Sequence, residues 1–216
     1  MQAVLAHQGA IPRDVAPGVR RSCARPRALG GAGSSGSKGA IERRCQINIV
    51  FARRVGRRKL VNLDQLLERC NTWGLHLDGI SPGSGQRSGG RLAHIVAYCS
   101  AISLGELGLL RAAPLLAQAD VLISVHGADV LNALAMRAES SVVEIMPVHK
   151  ANCPCTMYQD MFVRERRIKY YALEPKNNMT RAVSGGHVGK TYHSDLAVDW
   201  SSLEGMLKRV LSRLRV

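Results

Sequence analysis

His126 follows a run of apolar residues and precedes Gly127 and Ala128. The apolar run, Val121 to Val125, is typical of a strand in a parallel sheet that is covered on both faces. The two small residues would let a ligand approach the main chain, where the free N–H groups of a helix start favour an anion. The segment therefore predicts a strand-to-helix turn that binds phosphate. The alternative is a turn in which glycine and histidine serve the local geometry alone.

Glu144 lies inside a second apolar segment, residues 141–146. A buried carboxylate is costly unless a specific partner compensates for the lost hydration. One such partner is a sugar diol, whose two hydroxyls can donate to both carboxylate oxygens. A structural ion pair with an arginine is the other, and the sequence leaves both open.

Five cations follow the alternating segment 47–51 and precede a helical segment that starts at Asn62. They are Arg53, Arg54, Arg57, Arg58 and Lys59. The planar guanidinium group binds phosphate oxygens in bidentate fashion. We expect one or two of these side chains to contact a diphosphate and the others to form a solvated basic loop.

In this order, the three segments resemble glycosyltransferase family 61, which includes O-linked N-acetylglucosamine transferases of the endoplasmic reticulum and plant xylosyl- and arabinosyltransferases. RRVGRRKLVN, which begins at Arg53, is similar to the family's arginine-rich strand exit. ADVLISVHGADVLNAL, around His126, is similar to its His-Gly-Ala core, and SVVEIMP, around Glu144, is similar to its next strand. The resemblance extends over about residues 45–213.

The resemblance implies transfer of a sugar from a nucleoside diphosphate sugar, UDP-linked in our expectation, to a protein or glycan acceptor, with inversion and without a metal. It implies that His126 contacts a phosphate or the sugar near the reacting carbon as the catalytic residue, and that Glu144 holds the ribose. The residues assigned to donor binding are Arg53, Arg54, Arg58, Gly127, Ala128, Asp129 and Glu144. The family's phosphate contact matches Arg53 and Arg54 equally well.

The chain departs from the family pattern in two respects. Asp129 stands where the family commonly has glycine; an acid there stabilises a helix start but repels a diphosphate if it points inward. Asn132, one turn later, is expected to steady the turn. The second departure is length, because the family has two Rossmann-like domains in the GT-B arrangement and 216 residues suffice for one. We expect the donor-binding half only, so a non-catalytic fragment or remnant that binds the donor is the alternative function.

Strand-like and helical segments alternate from Cys45 to the end of the chain. They predict a single α/β domain over residues 45–216, with a Rossmann-like, doubly wound, mostly parallel sheet. Capping boxes at residues 103–106 and 201–204 predict two helix starts, the first helix running to Gln118 with a kink at Pro114. Residues 1–44, rich in alanine, glycine, arginine and serine, predict a disordered basic tail.

The net charge of +14 suits a diphosphate donor and also nucleic acid. Only 4% of the residues are aromatic, which leaves little to stack on bases and argues against nucleic acid. A basic nucleic-acid-binding protein is therefore the second alternative, and a nucleotide sugar with a glycan or protein acceptor are the partners that we expect.

The six cysteines lack the spacing of a metal-binding finger, and no Asp-x-Asp motif occurs, so we expect no metal and no cofactor. Cys70 and Cys99 are expected as buried free thiols, with Cys153 or Cys155 as disulfide candidates. The sequence contains no apolar stretch typical of a signal peptide or a membrane span. The resemblance implies the lumen of the endoplasmic reticulum or Golgi, but the compartment stays open.

Overall fold

The computed structural model describes residues 23–24, 43–77, 93–146, 156–165, 167–174 and 195–213. These residues form a mixed α/β fold around one mostly parallel sheet, as the alternation of segments predicts. Within these ranges, no helix has the length and apolar character that a membrane crossing requires.

Among the described residues, the sheet has seven strands. They are β1 (Cys23–Ala24), β2 (Arg43–Ala52), β3 (Gly74–Leu77), β4 (Ala93–Ile102), β5 (Val121–Val125), β6 (Ser141–Ile145) and β7 (Lys169–Leu173). The main order across the sheet is β3-β4-β2-β5-β6-β7, and β1 pairs with β2. All pairs are parallel except β1 with β2 and β3 with β4. The strand order therefore reverses at β2, which lies between β4 and β5.

Helices cover both faces of the sheet. They are α1 (Leu63–Asn71), α2 (Leu104–Leu107), α3 (Leu109–Leu116), a 3₁₀ helix (Ala128–Ala135), α4 (Met157–Glu165) and α5 (Trp200–Ser212). On one face, α1 and α5 pack through residues such as Leu66 and Leu207. On the other face, α3, the 3₁₀ helix and α4 contribute Leu116, Val130 and Phe162. Since β5 and β6 are buried along their whole length, their apolar sequences match a two-sided environment.

The helix start predicted at Ser103 is confirmed, because Ser103 is the N-cap of α2, but the uninterrupted course of that helix and the predicted start of the last helix are wrong. Gly108, with a φ of 71°, ends α2 and begins α3, so the break lies there, and Pro114 lies within α3. Glycine adopts this conformation readily because it has no Cβ. α5 begins at Trp200, and its cap is Asp199, whose carboxylate accepts hydrogen bonds from the main-chain N of Ser202 at 2.8 Å and the Ser201 hydroxyl. The box at residues 201–204 therefore lies inside the helix.

Cys70 and Cys99 form a disulfide that joins α1 to β4, so the prediction of free thiols is wrong. Their Cα atoms lie 5.9 Å apart because Cys70 faces the sheet at the end of α1. Next to it, the side-chain amide of Asn71 donates to the carbonyl of Cys99 and accepts from its N–H, both at 2.9 Å. Cys45 is also disulfide-bonded, and none of the cysteines that the structure describes is free. Cys153 and Cys155 lie outside the described residues.

The predicted boundary between tail and domain falls inside β2, which begins at Arg43. From the predicted tail, Cys23–Ala24 pairs with β2 in antiparallel register, Cys23 opposite Cys45. The other tail residues before Arg43 lie outside the described residues.

Candidate functional site

All the predicted site residues except Glu144, which lies on β6, follow two neighbouring parallel strands at the point where the strand order reverses. β2 ends at Ala52 and leads into the arginines, and β5 ends at Val125 and leads into His126. In open α/β sheets, the crevice outside the carboxyl ends at such a reversal is the usual ligand site. The sheet therefore brings the two predicted segments to one edge.

His126 is held by the strand next to its own. Its main-chain N–H donates to the carbonyl of Ile145 at 2.9 Å, and Nδ1 of its ring lies 2.5 Å from Oε1 of Glu144. The ring packs edgewise against Tyr158, with the ring centroids 5.4 Å apart. Only 5% of the side chain is exposed, so the ring is positioned from inside the domain.

Glu144 is fully buried, and each of its carboxylate oxygens has a protein partner. Oε1 faces His126, and Oε2 accepts a hydrogen bond from the hydroxyl of Tyr170 at 2.5 Å. Burial raises the pKa of Tyr170, and the hydrogen bond and charge of Glu144 raise it further, so the hydroxyl keeps its proton and donates. The structure thus pairs Glu144 with His126 and Tyr170, and not with the arginine that the sequence left open.

Arg54 and Arg58 converge on the main-chain carbonyl of His126. Nη1 of Arg54 donates to it at 3.1 Å and Nη1 of Arg58 at 2.9 Å. Arg58 has a φ of 58°, a left-handed conformation that is uncommon for a residue with a side chain. Two guanidinium groups therefore meet at the turn.

Arg53 lies elsewhere. Its guanidinium pairs with Asp64 at 2.8 Å, and both side chains are exposed to solvent, that of Asp64 more than that of Arg53. Consecutive residues that leave an extended strand point to opposite sides, so Arg53 and Arg54 cannot both face the turn. The structure separates the two candidates that the sequence left equivalent: Arg54 reaches His126, and Arg53 does not.

Gly127 is required by the geometry of the turn. Its φ of 143° is rarely adopted by residues with a side chain, and a Cβ built there would lie 2.7 Å from Nη1 of Arg54. The absent side chain thus makes room for a guanidinium packed across the main chain. In this structure, an arginine of the same chain fills the space beside Gly127.

The helix after the turn is a 3₁₀ helix, whereas the sequence predicted an ordinary amphipathic helix. It begins at Ala128, and the N–H of Val130 bonds to the carbonyl of Gly127, three residues back. Oδ2 of Asp129 lies 2.9 Å from Nε of Arg54, so Asp129 neither caps the helix nor stands alone. Asn132 donates to the carbonyl of Asp129 at 3.0 Å, which confirms that it steadies the turn.

Sequence reasoning did not identify Tyr170 and Tyr158 as neighbours of this site. Tyr170 lies opposite Val142 in the parallel pair β6–β7, and residues 142 and 144 face the same side of the sheet. Alternation along β7 would have placed Tyr170 and Tyr171 on opposite faces. It could not have shown which residue of β6 lies beside either of them.

The arrangement as a whole is a pair of arginines oriented by a buried His–Glu–Tyr network, which suits an anionic ligand. In the part of the chain that the structure describes, no three His, Cys, Asp or Glu side chains group as a metal site would require. No protein-family model matches the chain, and no curated protein sequence matches it.

Proposed function

We propose that the chain binds a nucleoside diphosphate sugar at the turn after β5 and acts as the donor-binding domain of a glycosyltransferase similar to family 61. In this proposal the domain is Rossmann-like and forms one half of a GT-B enzyme. The observation that carries it is the convergence of Arg54 and Arg58 on the carbonyl of His126, at the reversal of strand order. The sequence resemblance adds the donor class.

The two arginines would stabilise the leaving group. Transfer of the sugar breaks its bond to the diphosphate, on which negative charge develops, and preorganised cations lower the barrier to that step. Arg54 uses Nη1 for the His126 carbonyl and Nε for Asp129. Nη2 is the remaining nitrogen of this guanidinium, and we assign it to a phosphate oxygen.

His126 and Glu144 receive revised roles in this proposal. The carbonyl of His126 orients both guanidiniums, and Glu144 acts through the His126 ring instead of holding the ribose. The ring, buried as it is, serves first to fix the turn. Inversion at the sugar carbon, a UDP-linked donor, a metal-independent reaction and a glycan or protein acceptor are the parts of the proposal that rest on the resemblance alone.

The proposal is tested by isothermal titration of the full chain with UDP. Replacing Arg54 or Arg58 with alanine should weaken binding about 10- to 100-fold, since each removes a charge-assisted hydrogen bond to phosphate. Arg53→Ala is the matched control, because it removes an equal charge one residue away and should leave the affinity nearly unchanged. Circular dichroism checks that all variants remain folded. Lack of UDP binding to the wild type at millimolar concentration would overturn the proposal, as would equal losses in Arg53→Ala and Arg54→Ala.

A second measurement separates an enzyme from a binding domain. The wild type is incubated with UDP-N-acetylglucosamine or UDP-xylose and candidate glycan or peptide acceptors, and released UDP is measured. Acceptor-dependent release of UDP supports transfer. Binding of UDP without acceptor-dependent release supports the alternative of a non-catalytic donor-binding domain.

A further inference from the structure

We propose that Tyr170 is a positioning residue of this site, which acts through Glu144 to hold the His126 ring in a single tautomer, with the proton on Nδ1. The inference rests on the proposed function in one respect, the effect on ligand binding. The ring held in this way is that of His126, whose carbonyl orients Arg54 and Arg58.

The direction of the hydrogen bonds follows from the chemistry of the three groups. The hydroxyl of Tyr170 donates to Oε2 of Glu144 because its raised pKa keeps it protonated. An ionised carboxylate only accepts hydrogen bonds, so the partner of Oε1 must be a donor. Nδ1 of His126 therefore carries a proton, and in the neutral ring Nε2 is the acceptor.

Tyr170 is needed because Glu144 has no contact with solvent. Water cannot replace a partner that is removed there, and the hydroxyl of Tyr170 is the donor that holds Oε2. Without this hydroxyl, Oε2 would lose its donor, and the carboxylate could turn so that Oε1 no longer accepts from Nδ1 of His126. The selection of the Nδ1 proton would then be lost.

Packing fixes the orientation of both rings. The ring of Tyr170 stacks on Phe162 of α4, with centroids 6.1 Å apart and planes inclined by 16°. Tyr158, one turn earlier on the same helix, contacts the ring of His126. α4 thus covers the His126–Glu144–Tyr170 network with aromatic side chains and restricts the hydroxyl of Tyr170 to the side of Glu144.

The test compares Tyr170→Phe with Tyr171→Phe. Tyr171 is the adjacent buried tyrosine, and it packs in the core on the opposite face of the sheet. Long-range ¹H–¹⁵N correlation spectra report the tautomer of each histidine ring, and His126→Gln assigns the signal of His126. The wild type and Tyr171→Phe should show the Nδ1–H pattern at His126. Tyr170→Phe should lose it and should bind UDP about 3- to 10-fold more weakly, which corresponds to one hydrogen bond.

An unchanged His126 pattern together with unchanged UDP affinity in Tyr170→Phe would overturn the proposal. Should that variant fail to fold, the wild-type spectrum still decides, because an Nε2–H pattern at His126 contradicts the assigned network. The spectra require no ligand. Absence of UDP binding to the wild type would therefore remove the proposed function, whereas the role of Tyr170 would still be judged by the tautomer.

Discussion

Nδ1 of His126 lies 2.5 Å from Oε1 of Glu144, so the turn at the end of β5 is tied to a fully buried carboxylate on β6. The two strands run parallel, and Ser124 lies opposite Glu144. His126, which follows β5, is only two residues beyond Ser124 and therefore lies near the side chain of Glu144. Through this contact, the packing of the interior determines the position of a residue at the sheet edge. Changes at Glu144 should therefore affect both stability and ligand binding.

Glu144→Ala should lower the free energy of unfolding by about 2–4 kcal/mol, because it leaves two buried donors without their acceptor and opens a cavity. Glu144→Gln keeps the size of the side chain and should cost about 1 kcal/mol, with the fold retained and UDP binding weakened. Urea denaturation measures both. Glu68→Ala, an exposed carboxylate on α1, is the control and should stay within about 0.5 kcal/mol of the wild type. An equally small effect of Glu144→Ala would contradict the buried network.

Gly127→Ala should destabilise the domain by about 1–3 kcal/mol, because the residue would keep a positive φ and its Cβ would press on Arg54. The displaced guanidinium should also weaken UDP binding in titration. Gly205→Ala is the matched control: Gly205 lies within α5 with open space around it, so alanine there should stabilise the helix by about 0.5–1 kcal/mol. If both substitutions raise the urea midpoint, the close packing of Arg54 on Gly127 is refuted.

The disulfide between Cys70 and Cys99 closes a loop with a sequence separation of 29 residues. Loss of such a cross-link should lower the free energy of unfolding by about 3–4 kcal/mol, mainly because the unfolded chain gains freedom. The variant Cys70→Ala/Cys99→Ala removes this bond without touching the disulfide of Cys45, which a reducing agent would also break. Urea denaturation compares it with the wild type, and mass spectrometry of peptides from the non-reduced protein identifies the bond. Free thiols at both positions in protein refolded under oxidising conditions would show that the pairing is wrong.

Asp199 should make the stability of α5 depend on pH. The hydroxyl of Ser201 and then the groups of Ser202 lower the pKa of this cap below its ordinary value of 3.8. Because the folded-state pKa is depressed, the stabilisation is fully present above the unfolded value and is lost as the pH falls through the folded one. Asp199→Ala should therefore cost about 1 kcal/mol at pH 7, and the difference from the wild type should shrink below about pH 4. Urea denaturation from pH 7 to pH 3 measures it, and a constant difference over that range would exclude the carboxylate as the source.

The local parts of this structure could be predicted from the sequence. The mostly apolar sequences of β5 and β6 indicate burial on both faces, and Gly127 after His126 indicates a turn, because each depends on neighbouring residues only. The α/β alternation follows from the same local patterns.

The remaining features depend on pairings between distant residues. The partner of Glu144 required the register of β6 with β7, and the choice of Arg54 over Arg53 required the residue at which β2 ends. The disulfide required the position of α1 against β4. Composition does not determine these relationships, since each is set by how whole elements pack.

The two arginines that converge on His126 follow β2, the strand paired with β5, and lie 72 and 68 residues earlier in the chain. Their meeting point exists only while β2 is paired with β5, so an anion bound there has no counterpart in the unfolded chain. Ligand at one hundred times its dissociation constant should then raise the global free energy of unfolding by about 2.7 kcal/mol. Amide hydrogen exchange in β2 and in β5 should slow together when the ligand binds. The effect of a ligand bound at one turn would then measure how cooperatively the entire sheet unfolds.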